Sequence, residues 1–322
     1  MAWGPTASLD MLRRRSELTH RIRTFFHRQG FDEVHTPILS RDTVVDIHID
    51  PIVVPGAAIG LSDVGDDAYY LQTSPEFAMK RLVAAGMKAI YQITPALRAG
   101  ERGAMHNPEF TMVEWYRTDD SLDDAVRLLS DLVGYALEGE AAEIATYQEV
   151  FGAAVGLDPL RAELDELRSR LAACLPGVNP HQFDRDECLD ALFAECVQPR
   201  LGHRRPTIVT HYPASQAALA CLSPSDPRVA ERFELFYRGI ELANGYHELL
   251  DPEVLQQRAE AANQRRIALG RAPLPTSSRL REAMVAGLPE CSGCALGLDR
   301  LVLATSAAQS IDQVVAFPIE LA

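Results

Sequence analysis

Residues 98–117, RAGERGAMHNPEFTMVEWYR, run a polar loop of Arg, Glu, Arg and His straight into an alternating strand. From Phe110 to Tyr116 the side chains divide by the two-residue period of a β-strand. Phe110, Met112, Glu114 and Tyr116 share one face, and Thr111, Val113 and Trp115 share the other. The second set is a plain packing surface. The first mixes an aromatic ring, a thioether, a carboxylate and a phenol, which suits a ligand with both a flat ring and a positive charge.

Around this stretch the elements follow in sequence-local clusters. Residues 8–29 read as a helix with Leu18, Ile22, Phe25 and Phe26 on one stripe and Gly30 just past its end. The segment FDEVHTPIL is extended and stops at Thr36-Pro37, since proline disfavours helix at its neighbour. YYLQTSPEFAMKRLVAAG reads as a strand to Thr73 and then a helix, with Ser74 as N-cap, Pro75 at the first helical position and Gly86 as the stop. AIYQI is a short strand before the polar loop. A helix over 121–137 carries Leu122, Val126, Leu129 and Val133 in register.

Residues 147–200 read as several helices, one with Leu160, Leu164, Leu167 and Leu171 on one face, and form a helical insertion whose plain role is packing. Strands return in TIVTHYP, ERFELFYRGIELANGYHEL and CALGL, with helices over 252–269 and 297–305. Strands clustered in this way favour a largely antiparallel sheet with flanking helices, an α+β domain.

Composition narrows the function. The chain has 322 residues, 47% of them hydrophobic, enough for one large core or two modest ones. It contains no apolar run of membrane-spanning length. The N-terminus lacks the apolar middle of a secretory signal, so a cytoplasmic location is expected. A net charge of −14, from 45 acidic and 31 basic residues, argues against general affinity for nucleic acid. The six cysteines are unevenly spaced and read as reduced thiols. Cys291 and Cys294 make a lone CxxC without a second pair and are not read as a zinc or redox site.

Three groups carry chemistry. In the polar loop, Arg98 and Arg102 suit phosphate or carboxylate, His106 and Asn107 add neutral donors, and Phe110 can stack on a base. Glu234, Glu241 and Glu248 form a run of carboxylates of the kind that Mg²⁺ bridged to phosphates requires. Their spacing of seven and seven does not follow strand alternation, so a shared site needs an intervening turn. In CSGCALGLDRLVLA, small residues up to Gly297 allow close backbone approach, and Arg300 sits in the first turn of an apolar helix. Together these make an ATP site built without a Walker loop, since GxxxxGK[ST] is absent.

GFDEVHTPIL, R…HNPEFTMVEWY and GLDRLVL resemble motifs 1, 2 and 3 of the class II aminoacyl-tRNA synthetases, and TSPEF, HYPAS and ELANGYHEL narrow the resemblance to the lysyl branch. Within it the chain is most similar to the short family that ligates (R)-β-lysine onto translation elongation factor P. The chain starts within ten residues of the first catalytic helix, leaving no room before it for the anticodon-reading OB-fold. DIHIDP and PASQAALA look like segments of that family, Ser215 stands where lysyl-tRNA synthetases usually have glutamate, and Ala295 where they usually have glycine.

The resemblance implies a class II catalytic domain over residues 8–322, with an antiparallel sheet of six to seven strands, flanking helices and a helical insertion over about 147–200. It implies that Arg98 holds the α-phosphate and the substrate carboxylate, with Arg98, Glu241 and Arg300 central to catalysis. The ATP set is Arg98, Gly100, Glu101, His106, Asn107, Phe110, Glu241, Leu242, Gly297 and Arg300, and the Mg²⁺ ligands are Glu234 and Glu241. The substrate pocket is Ser74, Pro75, Glu76, Glu114, Tyr116, Asn244, Tyr246 and Glu248. Motif 2 departs from the usual Arg-Asn-Glu at Arg98-Ala99-Gly100-Glu101, and Ala104 stands where the family has an arginine that Arg102 can replace. The expected partners are elongation factor P as acceptor, (R)-β-lysine or lysine as substrate, and a second copy of the chain through motif 1; membrane and tRNA are not expected. Two other readings stay open: a minimal lysyl-tRNA synthetase or amide synthetase, and a non-catalytic synthetase-like regulator.

Overall fold

A computed structural model describes residues 3–60 and 67–322. The chain divides into two compact units, residues 1–119 with 249–322, and residues 120–248.

The first unit opens with helix α1 (Leu9–Arg28), capped by Ser8, whose hydroxyl accepts from the Met11 N–H at 3.1 Å. Leu18, Ile22, Phe25 and Phe26 are its buried stripe, as the spacing predicts. The helix ends at Gly30 with φ 77, the left-handed conformation of a helix stop. Three short strands and a fourth follow: β1 (Asp32–Glu33), β2 (Leu39–Ser40), β3 (Val53–Pro55) and β4 (Ala68–Leu71), the last three making a small sheet in the order β2-β4-β3. Helix α2 (Glu76–Ala84) starts one residue later than the sequence suggests, with Pro75 at the N-cap. The Ser74 hydroxyl still accepts from the Glu76 N–H at 3.1 Å, which frees its proton for another partner.

Strands β5 (Ala89–Leu97) and β6 (Glu109–Thr118) form an antiparallel pair around the polar loop. Val113 and Trp115 are fully packed, and Trp115 lies 5.3 Å from Phe26 of α1, so one face of β6 is a plain packing surface.

The second unit begins with α3 (Leu122–Leu137), where Ser121 and Asp124 form a capping box. Strand β7 (Glu143–Thr146) leads into the helical stretch of α4 (Tyr147–Val155), α5 (Leu164–Cys174) and α6 (Arg185–Leu192). Leu167 and Leu171 are fully buried, but Leu160 precedes α5 in a turn rather than on its face. Asp158 makes that turn by accepting from the Leu160 N–H at 3.0 Å. Strands β8 (Thr207–Pro213), β9 (Val229–Tyr237) and β10 (Ile240–His247) complete the unit. The helices pack Tyr147, Phe151, Leu189 and Phe193 against Val209, Tyr212 and Phe236, which is the packing role expected of the insertion.

The chain then returns to the first unit with α7 (Pro252–Ala268), α8 (Arg279–Gly287), β11 (Cys291–Gly297) and α9 (Leu298–Ala304). Helix α8 was not legible from periodicity. The α+β class holds, with two corrections. The expected six to seven strands become eight, β1-β5-β6-β11 in the first unit and β10-β9-β8-β7 in the second, among the described residues. β1 with β5 and β7 with β8 pair in parallel, so the sheet strands are not all antiparallel. Each parallel pair is joined by a long stretch containing helix, the crossover that parallel pairing demands.

Candidate active site

In the first unit the buried face of β6 that carries Glu114 and Tyr116 is continued by β11. β11 runs antiparallel to it with Gly293 opposite Tyr116, Ala295 opposite Glu114 and Gly297 opposite Met112. Directly opposed residues share a face, so β11 sets only small residues beside Met112, Glu114 and Tyr116.

Glu114 is 1% exposed and accepts from the Ser74 hydroxyl at 2.8 Å and from the Tyr116 hydroxyl at 2.6 Å. Burial, and next the nearby charge of Glu76, push its carboxyl up to about 7 despite those two donors. Glu76 is itself buried and pairs with Lys80 one helical turn on, at 2.5 Å. The Lys80 ammonium also stands 5.8 Å from the centre of the Tyr116 ring. Ser74, Glu76, Glu114 and Tyr116 thus form one cluster that already surrounds an ammonium. Pro75 supplies the turn between the first two.

The polar loop is held at both ends. The Ala99 N–H donates to the Asp50 carbonyl at 2.8 Å, and Asp50 is gripped by the buried Arg266 and by Arg271. Arg98 lies over Phe110 at 5.0 Å, donates to the Thr73 carbonyl at 3.3 Å and stands 3.6 Å from Glu101. At this half-buried position the stacking contributes about 0.5–2 kcal/mol. Gly100 adopts φ 78, which a side chain would strain. Arg300 of α9 donates to His106 Nε2 at 2.5 Å, which places the imidazole proton on Nδ1. Desolvation first, and Arg300 second, lower the His106 pKa. Gly297 is the N-cap of α9, and its backbone lies against the Arg300 side chain.

Two loop residues are tied within the fold. Asn107 donates to the Glu109 carbonyl at 2.7 Å and accepts from the Ile319 N–H at 3.1 Å, so both ends of its amide hold the loop. Arg102 is tied to Asp312 at 2.9 Å and Glu320 at 2.7 Å, so it does not stand in for the missing arginine at Ala104.

In the second unit two irregularities decide which side chains meet. Glu241 is opposite Phe236 and Ala243 opposite Leu235, so Leu242 is an extra residue, a β-bulge. Without it Glu241 would point away from Asn244; with it, Glu241, Asn244 and Tyr246 share the face of Arg232 and Glu234. A second irregularity between Thr210 and Tyr212, where His211 takes φ 59, turns Tyr212 onto that face as well. Tyr212 donates to Glu234 at 2.7 Å, and Arg232 also bonds Glu234. Asn244 donates to the Tyr246 hydroxyl at 3.1 Å and leaves its buried carbonyl oxygen without a partner. Glu248 is 1% exposed at the end of the strand. The bulged Leu242 has a buried side chain. Ser215 lies in a surface turn and donates to Asp186 at 2.6 Å.

Four residues that sequence reasoning missed shape these sets: Lys80, Arg232, Tyr212 and Asp299. The i,i+4 spacing of Glu76 and Lys80 was a usable signal. Asp299, 3% exposed, accepts from Arg15 of α1 and from the Thr111 N–H of β6, each at 2.7 Å, and so ties three elements together. No local signal marks that role.

Comparison with known proteins agrees with this architecture. The family of class II tRNA synthetases (D, K and N) matches residues 5–321. Proteins named elongation factor P--(R)-beta-lysine ligase, from Salmonella dublin, Salmonella paratyphi B and Salmonella enteritidis, are each 43% identical over 323 residues, covering 99% of this chain and 98% of theirs.

Proposed function

The chain belongs to the class II tRNA synthetase family, and from that membership we propose that it is an ATP-dependent ligase joining (R)-β-lysine to a lysine side chain of elongation factor P. The observation that carries the substrate is the Glu76–Glu114 cluster: two buried carboxylates beside one internal ammonium, with the Glu114 carboxyl pushed up to about 7 by burial and next by Glu76, an environment that an added positive charge relieves. A substrate with two ammonium groups supplies it.

In the first step a carboxylate oxygen of the substrate attacks the α-phosphorus of ATP. The bond to pyrophosphate breaks and a mixed anhydride with AMP forms. Arg98 steadies the α-phosphate and the carboxylate, Phe110 offers its ring to adenine, and Arg300 meets the outer phosphates, with neutral His106 orienting it. Gly100, Glu101, Asn107, Leu242 and Gly297 border the nucleotide. Ser74, Pro75, Glu76, Glu114 and Tyr116, with Asn244, Tyr246 and Glu248, receive the amines; the free Asn244 carbonyl oxygen is suited to accept from one.

Glu241 and Glu234 share a face and offer the hard carboxylate oxygens that Mg²⁺ prefers. Tyr212 and Arg232 orient Glu234, and an ionised carboxylate keeps further lone pairs for a metal. Bound there, Mg²⁺ neutralises phosphate charge. In the second step the ε-amine of the acceptor lysine attacks the anhydride carbonyl, AMP leaves and an amide forms. No side-chain nucleophile is needed.

We further propose that residues 8–322 act as one catalytic domain and that the motif 1 helix and the strand through Pro37 form an isologous dimer contact. Gel filtration with light scattering tests the dimer; a 35.4 kDa species refutes it.

Purified protein incubated with Mg-ATP and labelled (R)-β-lysine, with elongation factor P and total tRNA offered in parallel, tests the activity. Label in the protein alone is expected. Label in tRNA alone would make the chain a stripped-down synthetase. Absence of label and of pyrophosphate would make it a non-catalytic relative.

A further inference from the structure

Behind the β9–β10 hairpin, on the face away from Glu234 and Glu241, three side chains of different chemistry meet. The segment around Cys221 sits between the ends of β9 and β10 and is bonded to both. The Cys221 N–H donates to the His247 carbonyl at 2.9 Å, and the Glu231 N–H donates to the Cys221 carbonyl at 2.9 Å. Bridges from Ala220 to Glu248 and from Leu222 to Ala230 continue the pairing. The backbone therefore fixes where Cys221, Glu231 and His247 project, and one ligand atom from each lies within 4.8 Å of the others.

We propose that Cys221, Glu231 and His247 form a binding site for a divalent transition ion of the zinc type. The donor set argues for that class: thiolate with imidazole and carboxylate selects zinc-like ions and is foreign to Mg²⁺ and Ca²⁺. The geometry argues for it too. With Zn–S near 2.3 Å and Zn–N or Zn–O near 2.0 Å, tetrahedral ligand atoms stand about 3.3–3.6 Å apart. Cys221 Sγ is 3.4 Å from His247 Nδ1 and 3.7 Å from Glu231 Oε2. Only the His247–Glu231 edge, 2.5 Å, must open. The hydrogen bond on that edge is the contact a metal replaces: the ion displaces the proton shared by Glu231 and His247 and the thiol proton of Cys221, and water takes the fourth position. The side chains of Glu231 and His247 are 12% and 15% exposed, so an ion can reach them while most of their surface stays covered. A bound ion staples the Cys221 segment to the strand end that carries Tyr246 and Glu248.

Metal-stripped full-length protein titrated with Co²⁺ in the absence of Mg²⁺ tests the site. The expected result is one equivalent bound with a near-ultraviolet thiolate-to-cobalt band, reversed by Zn²⁺, and loss of the band in Cys221→Ser. His247→Gln and Glu231→Gln are expected to keep a thiolate band but weaken Zn²⁺ binding by about tenfold or more. Absence of a band in the wild-type protein overturns the site, and that measurement needs no variant. A band of full strength in Cys221→Ser overturns it as well, since the ion would then sit on another thiol. Zn²⁺ affinity unchanged in both the His247 and Glu231 variants likewise rules the site out.

Discussion

Ala295 stands directly across from Glu114 in the antiparallel pairing of β11 with β6, so its methyl group and the buried carboxylate share one face. In the substrate site proposed above, the Ala295 methyl would limit the room beside Glu114. Ala295→Val is expected to raise the KM for the diamine substrate by about tenfold or more, since misfitting one or two methyl-sized groups in a pocket shifts discrimination by that order. The KM for ATP stays unchanged. Amino-acid-dependent pyrophosphate exchange checks both, and Ala295→Gly should alter the preference between α-lysine and (R)-β-lysine.

Glu114 gives a pH signature. Its carboxyl is raised to about 7 in the fold from an ordinary 4.5, by burial and then by Glu76. The folded state holds more protons than the unfolded one between those values, so this group's contribution to stability is full below 4.5 and is lost as pH rises to about 7. A substrate bearing ammonium groups binds the ionised form. Its KM should therefore fall as pH rises through about 7, and Glu114→Gln should flatten that dependence. Pyrophosphate exchange measured across this range decides it.

Glu241→Gln keeps the shape of the side chain and removes its charge. It is expected to cut adenylate formation by about a hundredfold or more, as loss of a charge-stabilising group in a transition state does. Circular dichroism and the melting temperature should not move, because Glu241 is only half-buried. Full exchange activity in the variant would remove Glu241 from the metal site.

Arg300 and His106 are expected to be linked in titration. The lowered His106 pKa means that its neutral form is favoured in the fold, so its contribution to stability is lost as pH falls through the folded value. In Arg300→Met the His106 resonance should titrate closer to the ordinary imidazole range, with desolvation accounting for what remains. Proton NMR of the histidine ring reads this directly.

Asp299→Ala should destabilise the fold rather than the chemistry. It leaves the Thr111 N–H without this acceptor and takes one partner from the partly exposed Arg15, which keeps the Thr111 hydroxyl, so the cost is about 1–3 kcal/mol. Urea unfolding gives the loss, and residual pyrophosphate exchange in the folded fraction should be near normal.

Much of this was legible in the sequence because it depends on local periodicity. The α1 stripe of Leu18, Ile22, Phe25 and Phe26 and the two-faced β6 strand follow from side-chain spacing, and both stand in the structure. Helix α2 starts one residue beyond the position its sequence suggests because Ser74 serves two partners: it accepts from Glu76 like a cap, yet donates to Glu114, 40 residues along the chain. The motif 2 loop was harder. Arg102 reads as a phosphate ligand, but Asp312 and Glu320, which claim it, are more than two hundred residues away.

The sequence by itself determined the class of fold and the family, because alternating strands, capped helices and short motifs are properties of neighbours along the chain. Tertiary structure alone decided that Glu241 faces Asn244, through one extra residue at Leu242, and that Tyr212 reaches Glu234, through a turn of the backbone at His211. A bulge reverses the two-residue alternation without leaving a pattern of its own. Its position exists only in the pairing of one strand with another. For the same reason Cys221, Glu231 and His247, scattered over 27 residues of sequence, become one cluster only where the ends of β9 and β10 close around the Cys221 segment.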